Sequence, residues 1–487
     1  MNLTSRFTNP QATLTNNLAQ LGQSLLAQWA PQRATPLAIA AVAGVLWLSG
    51  ITAFGQVQIG REGIDRTDPA VVEQMNAAME DAFEDMPFSL DTEGMTSGEG
   101  LFGAMFGPSV SQSDFDGFIK ILGFTSDQAG AARSIYKQRM ANYQNKAGPM
   151  QKMITDFMSK VMKAAGRGEQ PDMDGEDKLM AAVKEVEVER VAMSTGVMED
   201  LKALLSKEQE ALWPTVEMSQ RRNRLMRFQP LLMAPGARVD IHRIFDRTLA
   251  VPGMEKPTAD GAERIAQALT EYDTTVDAIA KQVIPLDDDM HGNHMGSKAT
   301  PEEMQRQMRM LADGSAMADR VRAANETAIR TSAEVLAEPV RATLWENFNR
   351  EAYPNVYRET HGQRVIDAAL KFKDLTDDQR EKLTTMKTNH AAKLDGLKPK
   401  VVDQMIAQNQ TQSEWMAAKD EEAKTKAQEK MMKTITEGNA KADMKAADGL
   451  AVKRVRELMN EEQRAKLPKR AKPKMPFEIE VETPGQK

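Results

Sequence analysis

One short stretch of the chain concentrates side chains that can bind metal ions. Between Asp287 and Met295 the sequence reads DDDMHGNHM, which places carboxylates, two imidazoles and two thioethers close together. Asp287, Asp289, His291 and His294 are the candidate ligands, and this mixture of donors suits zinc, copper or nickel. The alternative is the solvated tip of a helical hairpin, where acidic and small polar residues collect. Both interpretations stay open, because an HxxH spacing in a loop that contains glycine does not fix a coordination geometry.

The rest of the sequence indicates no catalytic chemistry. It contains no Gly-rich phosphate loop, no HExxH motif and no GxSxG motif, so the chain is predicted not to be an enzyme. It has no cysteine among 487 residues, which excludes disulfides and thiolate metal sites. Its formal net charge of −7 argues against nucleic acid as the principal partner.

An uncharged run from Leu37 to Phe54 indicates in which compartment of the cell the rest of the chain lies. At about 18 residues it is just long enough to span a bilayer. The residues before it (1–36) contain Arg6 and Arg33 but no acidic side chain. This asymmetry predicts a cytoplasmic arm followed by a transmembrane or signal segment, with the rest of the chain exported. We therefore expect a cell-envelope protein, either anchored in the inner membrane with a periplasmic C-terminal part or secreted to the periplasm.

The composition predicts an all-α fold. Helix-forming residues dominate, aromatic residues make up only 5%, and 33 residues are methionine. Residues 55–112 are typical of a spacer, because glycine, serine and acidic residues accumulate in their second half. Farther along, apolar residues at helical spacing predict a buried helix face or, alternatively, an adaptable surface for client proteins. The stripe consists of Met150, Met153, Phe157, Met158 and Met162.

Internal repeats divide the remainder. The sequence LSKEQEALWP at 205–214 aligns without gaps with MNEEQRAKLP at 459–468, and FTSDQ at 124–128 matches LTDDQ at 375–379. A degraded middle copy opens at 257–260 and closes at 336–339. These matches predict three helical modules, each holding a long helical hairpin, and a C-terminal tail. The predicted bounds are 113–230, 231–357 and 358–475 for the modules and 476–487 for the tail.

The repeated pentads have the pattern of a helix N-terminus. Thr376 and Ser206 can cap the first backbone N–H groups, and Gln379 and Gln209 can complete a capping box. The segment from Leu375 to Leu383 (LTDDQREKL) resembles the LTxxQ signature of the Spy/CpxP-like periplasmic proteins. That resemblance implies a Met-rich, all-helical fold, often a cupped dimer, that acts as an ATP-independent chaperone or in envelope-stress and metal responses.

These observations lead to three functional hypotheses. The first is a tethered or exported chaperone-like protein that binds unfolded or envelope proteins, with the membrane as a partner through the N-terminal helix and a homo-oligomer as a possible assembly. The second is a metal-responsive sensor or scavenger that uses the histidine and aspartate cluster. The third is a structural spacer of the envelope. None of them assigns a catalytic residue or a bound organic cofactor.

Overall fold

The fold is known from a computed structural model that describes residues 108–166, 176–228, 231, 234–253, 255–292, 301–437 and 439–469. Within these ranges the chain forms helices joined by turns and has no β-strand, so the predicted all-α class is confirmed. No helix among the described residues is long and apolar enough to cross a membrane. The predicted membrane or signal segment, Leu37–Phe54, lies outside the described residues, as do the N-terminal arm, most of the spacer and the tail.

The first group of helices is built on a long hairpin. In chain order they are α1 (Gln112–Leu122), α2 (Ser126–Gly166), α3 (Glu176–Ala203), α4 (Lys207–Glu210) and α5 (Trp213–Leu225). Helices α2 and α3 pack along each other. Two ion pairs, Arg139–Asp200 and Lys146–Glu189, each at 2.8 Å, join α2 to α3, and the later residue of α2 pairs with the earlier residue of α3. The two helices are therefore antiparallel, and we call them the first hairpin.

The second group repeats this order. It comprises α6 (Ile241–Leu249), α7 (Ala259–Gly292), α8 (Pro301–Ala333), α9 (Glu338–Ala352) and α10 (Pro354–Tyr357). Helices α7 and α8 form the second hairpin, and α6 packs against α9 beside it. Asp240 caps the start of α6, where its carboxylate accepts a hydrogen bond from the Arg243 backbone N–H at 3.1 Å.

The third group differs in its returning arm. It comprises α11 (His361–Leu370), α12 (Asp377–Ala417), α13 (Glu421–Glu437), α14 (Ala440–Leu458) and α15 (Glu461–Lys466). Both α13 and α14 pack against α12, so the third hairpin returns as two helices where the first two hairpins return as one. Helix α13 ends just before Gly438, a residue type that disfavours the helix interior. Its start is capped by Asp420, which accepts from the Ala423 N–H at 2.8 Å.

Three clusters of buried apolar side chains follow the three hairpins. The first core draws on α1, α2, α3 and α5 and includes Phe115, Phe118, Leu201 and Val216. The second core is the largest and includes Ile244, Ile279, Ile329, Leu344 and Phe348. The third core joins α11, α12 and α14 and includes Val365, Leu383, Val455 and Met459. The division into three modules and the module bounds stay a prediction.

Helix α5 links the first two hairpins. Its Trp213 and Val216 belong to the first core, whereas Leu225 at its end and Phe228 just beyond it belong to the second. Since burial of a large apolar side chain stabilises a fold by roughly 1.5–3 kcal/mol, α5 contributes to both cores. The second and third hairpins meet where α8 packs against α12, and Val402 of α12 lies in the second core.

Candidate functional site

The structure does not test the metal site predicted in the second hairpin. Asp287, Asp289 and His291 lie at the end of α7, but their side chains are outside the described part, and His294 follows the helix in an undescribed stretch. Elsewhere among the described residues, no group of three or more histidine and acidic side chains is placed to hold a metal ion. The metal site at 287–294 therefore stays a prediction.

The repeated pentads begin helices as predicted, and their capping boxes are confirmed. In each box the cap side chain accepts from the backbone N–H of the glutamine, and the glutamine side chain accepts from the backbone N–H of the cap residue. These paired bonds satisfy N–H groups that would otherwise lack partners at a helix start. The four boxes are Thr125 with Gln128, Ser206 with Gln209, Thr376 with Gln379 and Asn460 with Gln463.

In the first hairpin the two glutamines also bind across to each other's motif. The Gln128 Nε2 donates to the Leu204 carbonyl at 2.9 Å, just before the second motif. In return, the Gln209 Nε2 donates to the Gly123 carbonyl at 3.4 Å, just before the first motif. The two side-chain amides also contact each other at 3.0 Å. We call this reciprocal arrangement the glutamine clasp.

The third hairpin has the same clasp. The Gln379 Nε2 donates to the Leu458 carbonyl at 2.7 Å. The Gln463 Nε2 donates to the Asp374 carbonyl at 3.4 Å and to its carboxylate at 3.1 Å. Each glutamine therefore uses its oxygen to cap its own helix and its nitrogen to hold the other motif. A glutamate could do only the first, because an ionised carboxylate has no hydrogen to donate.

The second hairpin lacks the clasp and closes by direct backbone approach. Thr258 still caps α7, where its hydroxyl accepts from the Gly261 N–H at 3.1 Å. Gly261 stands where the outer hairpins have glutamine, and a Cβ there would lie only 3.4 Å from the Val335 carbonyl. At the closing motif the glutamine position is occupied by Val340, which is buried in the second core. The degraded middle copy seen in the sequence thus corresponds to a different way of closing the hairpin.

One polar level recurs above the closed end of each hairpin. The level consists of two residues in each hairpin. The first lies fourteen residues after the residue that caps the opening motif, and the second lies eleven residues before the apolar residue that begins the closing motif. The residues at these two positions are Arg139 and Ser194, Tyr272 and Asn325, and His390 and Asp448. Four of the six are buried, Asp448 is partly buried, and Arg139 is the more exposed member of its pair. Sequence reasoning missed this level, because the residue types differ in each copy and only the register is shared.

The polar level of the third hairpin anchors the start of α11. The Asp448 carboxylate lies 3.3 Å from the His390 Nε2, accepts from the Gly362 N–H at 2.9 Å, and accepts from the Thr360 hydroxyl. Burial alone would raise the pKa of Asp448, but the close contact with His390 and the hydrogen bonds from Thr360 and Gly362 hold it below its ordinary value. Asp448 therefore stays ionised and ties α14 to both α11 and α12.

A second charged cluster joins the first and second hairpins. Arg222 of α5 and His242 of α6 both contact the Asp273 carboxylate of α7, at 2.6 and 2.9 Å. Arg221 contacts Asp277 one turn farther along α7, at 2.6 Å. Burial would raise the pKa of Asp273, but His242 and Arg222 together lower it. The cluster fixes three helices relative to one another.

Exposed apolar side chains occur on both helices of the first hairpin. Val188 and Val191 of α3 are 59% and 47% exposed and lie one turn apart, and Met153 of α2 is 46% exposed. Met150 and Phe157 of the predicted stripe are partly buried against the first core. The side chains of Met158 and Met162 lie outside the described part. The stripe is thus divided between core and surface.

No protein family, curated protein or solved structure matches the chain. The likeness to the LTxxQ proteins accordingly rests on the pentads alone.

Proposed function

We propose that the protein is a binding component of the cell envelope that acts as a chaperone for unfolded or envelope proteins. The exposed apolar pair Val188 and Val191, with Met153 on the partner helix, is the observation that carries this proposal. Non-polar side chains at the surface favour partners that themselves expose apolar segments. No catalytic residue is assigned in this proposal, and self-association of the chain is compatible with it.

The glutamine clasp is a second observation that supports the proposal. It gives the LTxxQ-like pentads a structural role, because each clasp closes one end of a hairpin. In the proteins that share the signature, such motifs open the helices of small periplasmic chaperones. The chain would present two hairpins closed by the clasp and, between them, one closed by direct backbone approach, with contacts between neighbours through α5 and α12.

The chaperone proposal is tested by light scattering of a heat-aggregating client protein mixed with the full chain in neutral detergent. We expect suppression of aggregation that is weakened several-fold by Val188→Ser combined with Val191→Ser. The control replaces Leu249 and Leu450 by serine, since these side chains have similar exposure (37% and 42%) on other helices. Equal loss in both variants, or none in either, would remove the role assigned to this face.

The proposed location has its own test. We propose that Leu37–Phe54 delivers the chain to the envelope, as a retained anchor or as a signal. Cell fractionation and N-terminal sequencing of the mature protein separate these two outcomes. Recovery of the intact protein in the soluble cytoplasmic fraction would contradict both.

A further inference from the structure

A basic groove lies at the closed end of the third hairpin. It runs between α14 and α15, has a volume of about 400 Å³ and opens widely to solvent. Its lining residues are Gly449, Val452, Lys453, Arg456, Glu457 and Arg464. Three of these side chains are cationic and one is acidic, so the groove favours an anionic occupant.

The cations of the groove are not neutralised by the surrounding fold. Lys453 and Arg456 are exposed and make no hydrogen bond or ion pair with any residue that the structure describes. Arg464 donates from Nε to the Met459 carbonyl at 2.8 Å, and no carboxylate among the described residues pairs with it. By contrast, the neighbouring Lys466 is paired with Glu462 at 2.7 Å. The groove therefore retains binding capacity for carboxylates or other anions.

The sequence contains an acidic segment, whose charge is opposite to that of the groove. From 449 to 474 the chain has nine basic and three acidic side chains, although the whole protein is acidic. From 67 to 107 it has nine acidic side chains and no basic one. These are opposite charge concentrations within a single polypeptide, and opposite potentials attract.

We propose that the acidic segment 68–99 of this chain docks in the basic groove of the same molecule, with its carboxylates facing Lys453, Arg456 and Arg464. The segment joins the fold at Pro108, whose carbonyl accepts a hydrogen bond from Arg227. The densest acidic part of the segment is Glu80, Asp81, Glu84 and Asp85. An extended chain covers roughly 3.3 Å per residue, so the roughly 20 residues between Asp85 and Pro108 reach about 70 Å. That reach exceeds the length of α12, the 41-residue helix, which is about 60 Å.

The covalent connection between the segment and the fold, and not the strength of any single ion pair, would maintain this contact. Exposed ion pairs are individually weak and are screened by salt. A tethered segment, however, is present near the groove at a high effective concentration. The contact would occupy the basic surface at low ionic strength and release it as ionic strength rises or as a stronger polyanion competes.

Zero-length carbodiimide cross-linking of the full chain in neutral detergent tests the proposal, with mass spectrometry to locate the linked residues. The Lys453 amine should link to carboxylates in 68–99 at low salt, and the yield should fall at least tenfold in 1 M NaCl. Arg456→Glu keeps the Lys453 amine as reporter and should lower the yield about tenfold. The control Lys426→Glu changes the charge equally at an exposed position on α13 that has no partner among the described residues, and should leave the yield unchanged.

A charge swap makes the test specific to the segment. Glu80→Lys combined with Asp81→Lys should restore the Lys453 cross-links of the Arg456→Glu variant through Glu84 and Asp85. An equal loss with Lys426→Glu would overturn the proposal, because it would show a general charge effect. Links formed mainly between isotope-labelled and unlabelled copies would overturn docking within one molecule.

Discussion

Replacing Gln463 with alanine removes the most buried member of the glutamine clasps, a residue that is only 1% exposed. Its oxygen accepts from the Asn460 N–H at 3.1 Å, and its nitrogen donates to Asp374 at 3.1 and 3.4 Å. A hydrogen bond contributes about 0.5–1.5 kcal/mol net, and a buried group left unpaired costs more. We therefore expect a local loss of about 2–4 kcal/mol.

Hydrogen exchange with mass spectrometry measures this loss where it occurs. Since about 1.4 kcal/mol corresponds to a factor of ten in an equilibrium constant, amides of α14 and α15 should exchange roughly 30- to 700-fold faster. Amides of the first hairpin should keep their protection. The control Gln267→Ala deletes an exposed amide whose bond to Glu271 spans one helical turn, and we expect less than about 0.5 kcal/mol.

Gln463→Glu distinguishes the clasp from simple capping. A glutamate at this position satisfies a capping box as well as a glutamine does. It cannot donate to Asp374, however, and it adds a second carboxylate 3.1 Å from the first. We expect exchange at least as fast as in Gln463→Ala. Wild-type protection in Gln463→Glu would refute the reasoning, because capping alone would then account for the glutamine.

Further predictions concern glycine positions, pH and metal. Gly362→Ala should lower the free energy of unfolding by about 1–3 kcal/mol in urea denaturation, because a Cβ there would meet the Asp448 backbone oxygen at 3.0 Å. Gly396→Ala, inside α12 with open space around the added Cβ outside the backbone of its own helix, should raise it by about 0.5–1 kcal/mol. The pKa of Asp448 is lowered in the folded state, so its stabilising contribution is present above the unfolded value of about 3.9 and is lost as pH falls through the folded pKa. Asp448→Asn should therefore lower Tm at pH 6 and flatten its fall toward pH 2, as followed by circular dichroism. Calorimetric titration with zinc, copper or nickel should show a site that disappears in the His291→Ala, His294→Ala double variant; an unchanged isotherm would contradict the metal hypothesis.

The sequence was sufficient to predict the fold class and the helix starts. Capping boxes are local patterns, since the cap residue and its glutamine are three positions apart and share one turn. Helix-forming composition and apolar periodicity are likewise read from neighbouring residues. For this reason Thr376 with Gln379 and Ser206 with Gln209 were predictable without knowledge of packing.

The clasp and the polar level were not predictable, because both depend on elements far apart in the chain. The Gln379 Nε2 reaches the carbonyl of Leu458, and His390 meets Asp448, only because α12 and α14 are packed in one register. The sequence contained one signal for the clasp. Every intact motif has glutamine at a position where glutamate would cap the helix equally well. The break between α13 and α14 was missed because the long hairpin was inferred from the copies of its end motifs.

Helix α5 has a consequence for how the protein can be divided. Because Val216 belongs to the first core and Phe228 to the second, the segment between the first two hairpins is packed into both cores, and bending it would expose buried apolar side chains. A shortened protein that begins after residue 230 would lack Leu225 and Phe228 of the second core. Surfaces on the first two hairpins would hence lie at a fixed separation, so that one extended partner could contact both hairpins at the same time.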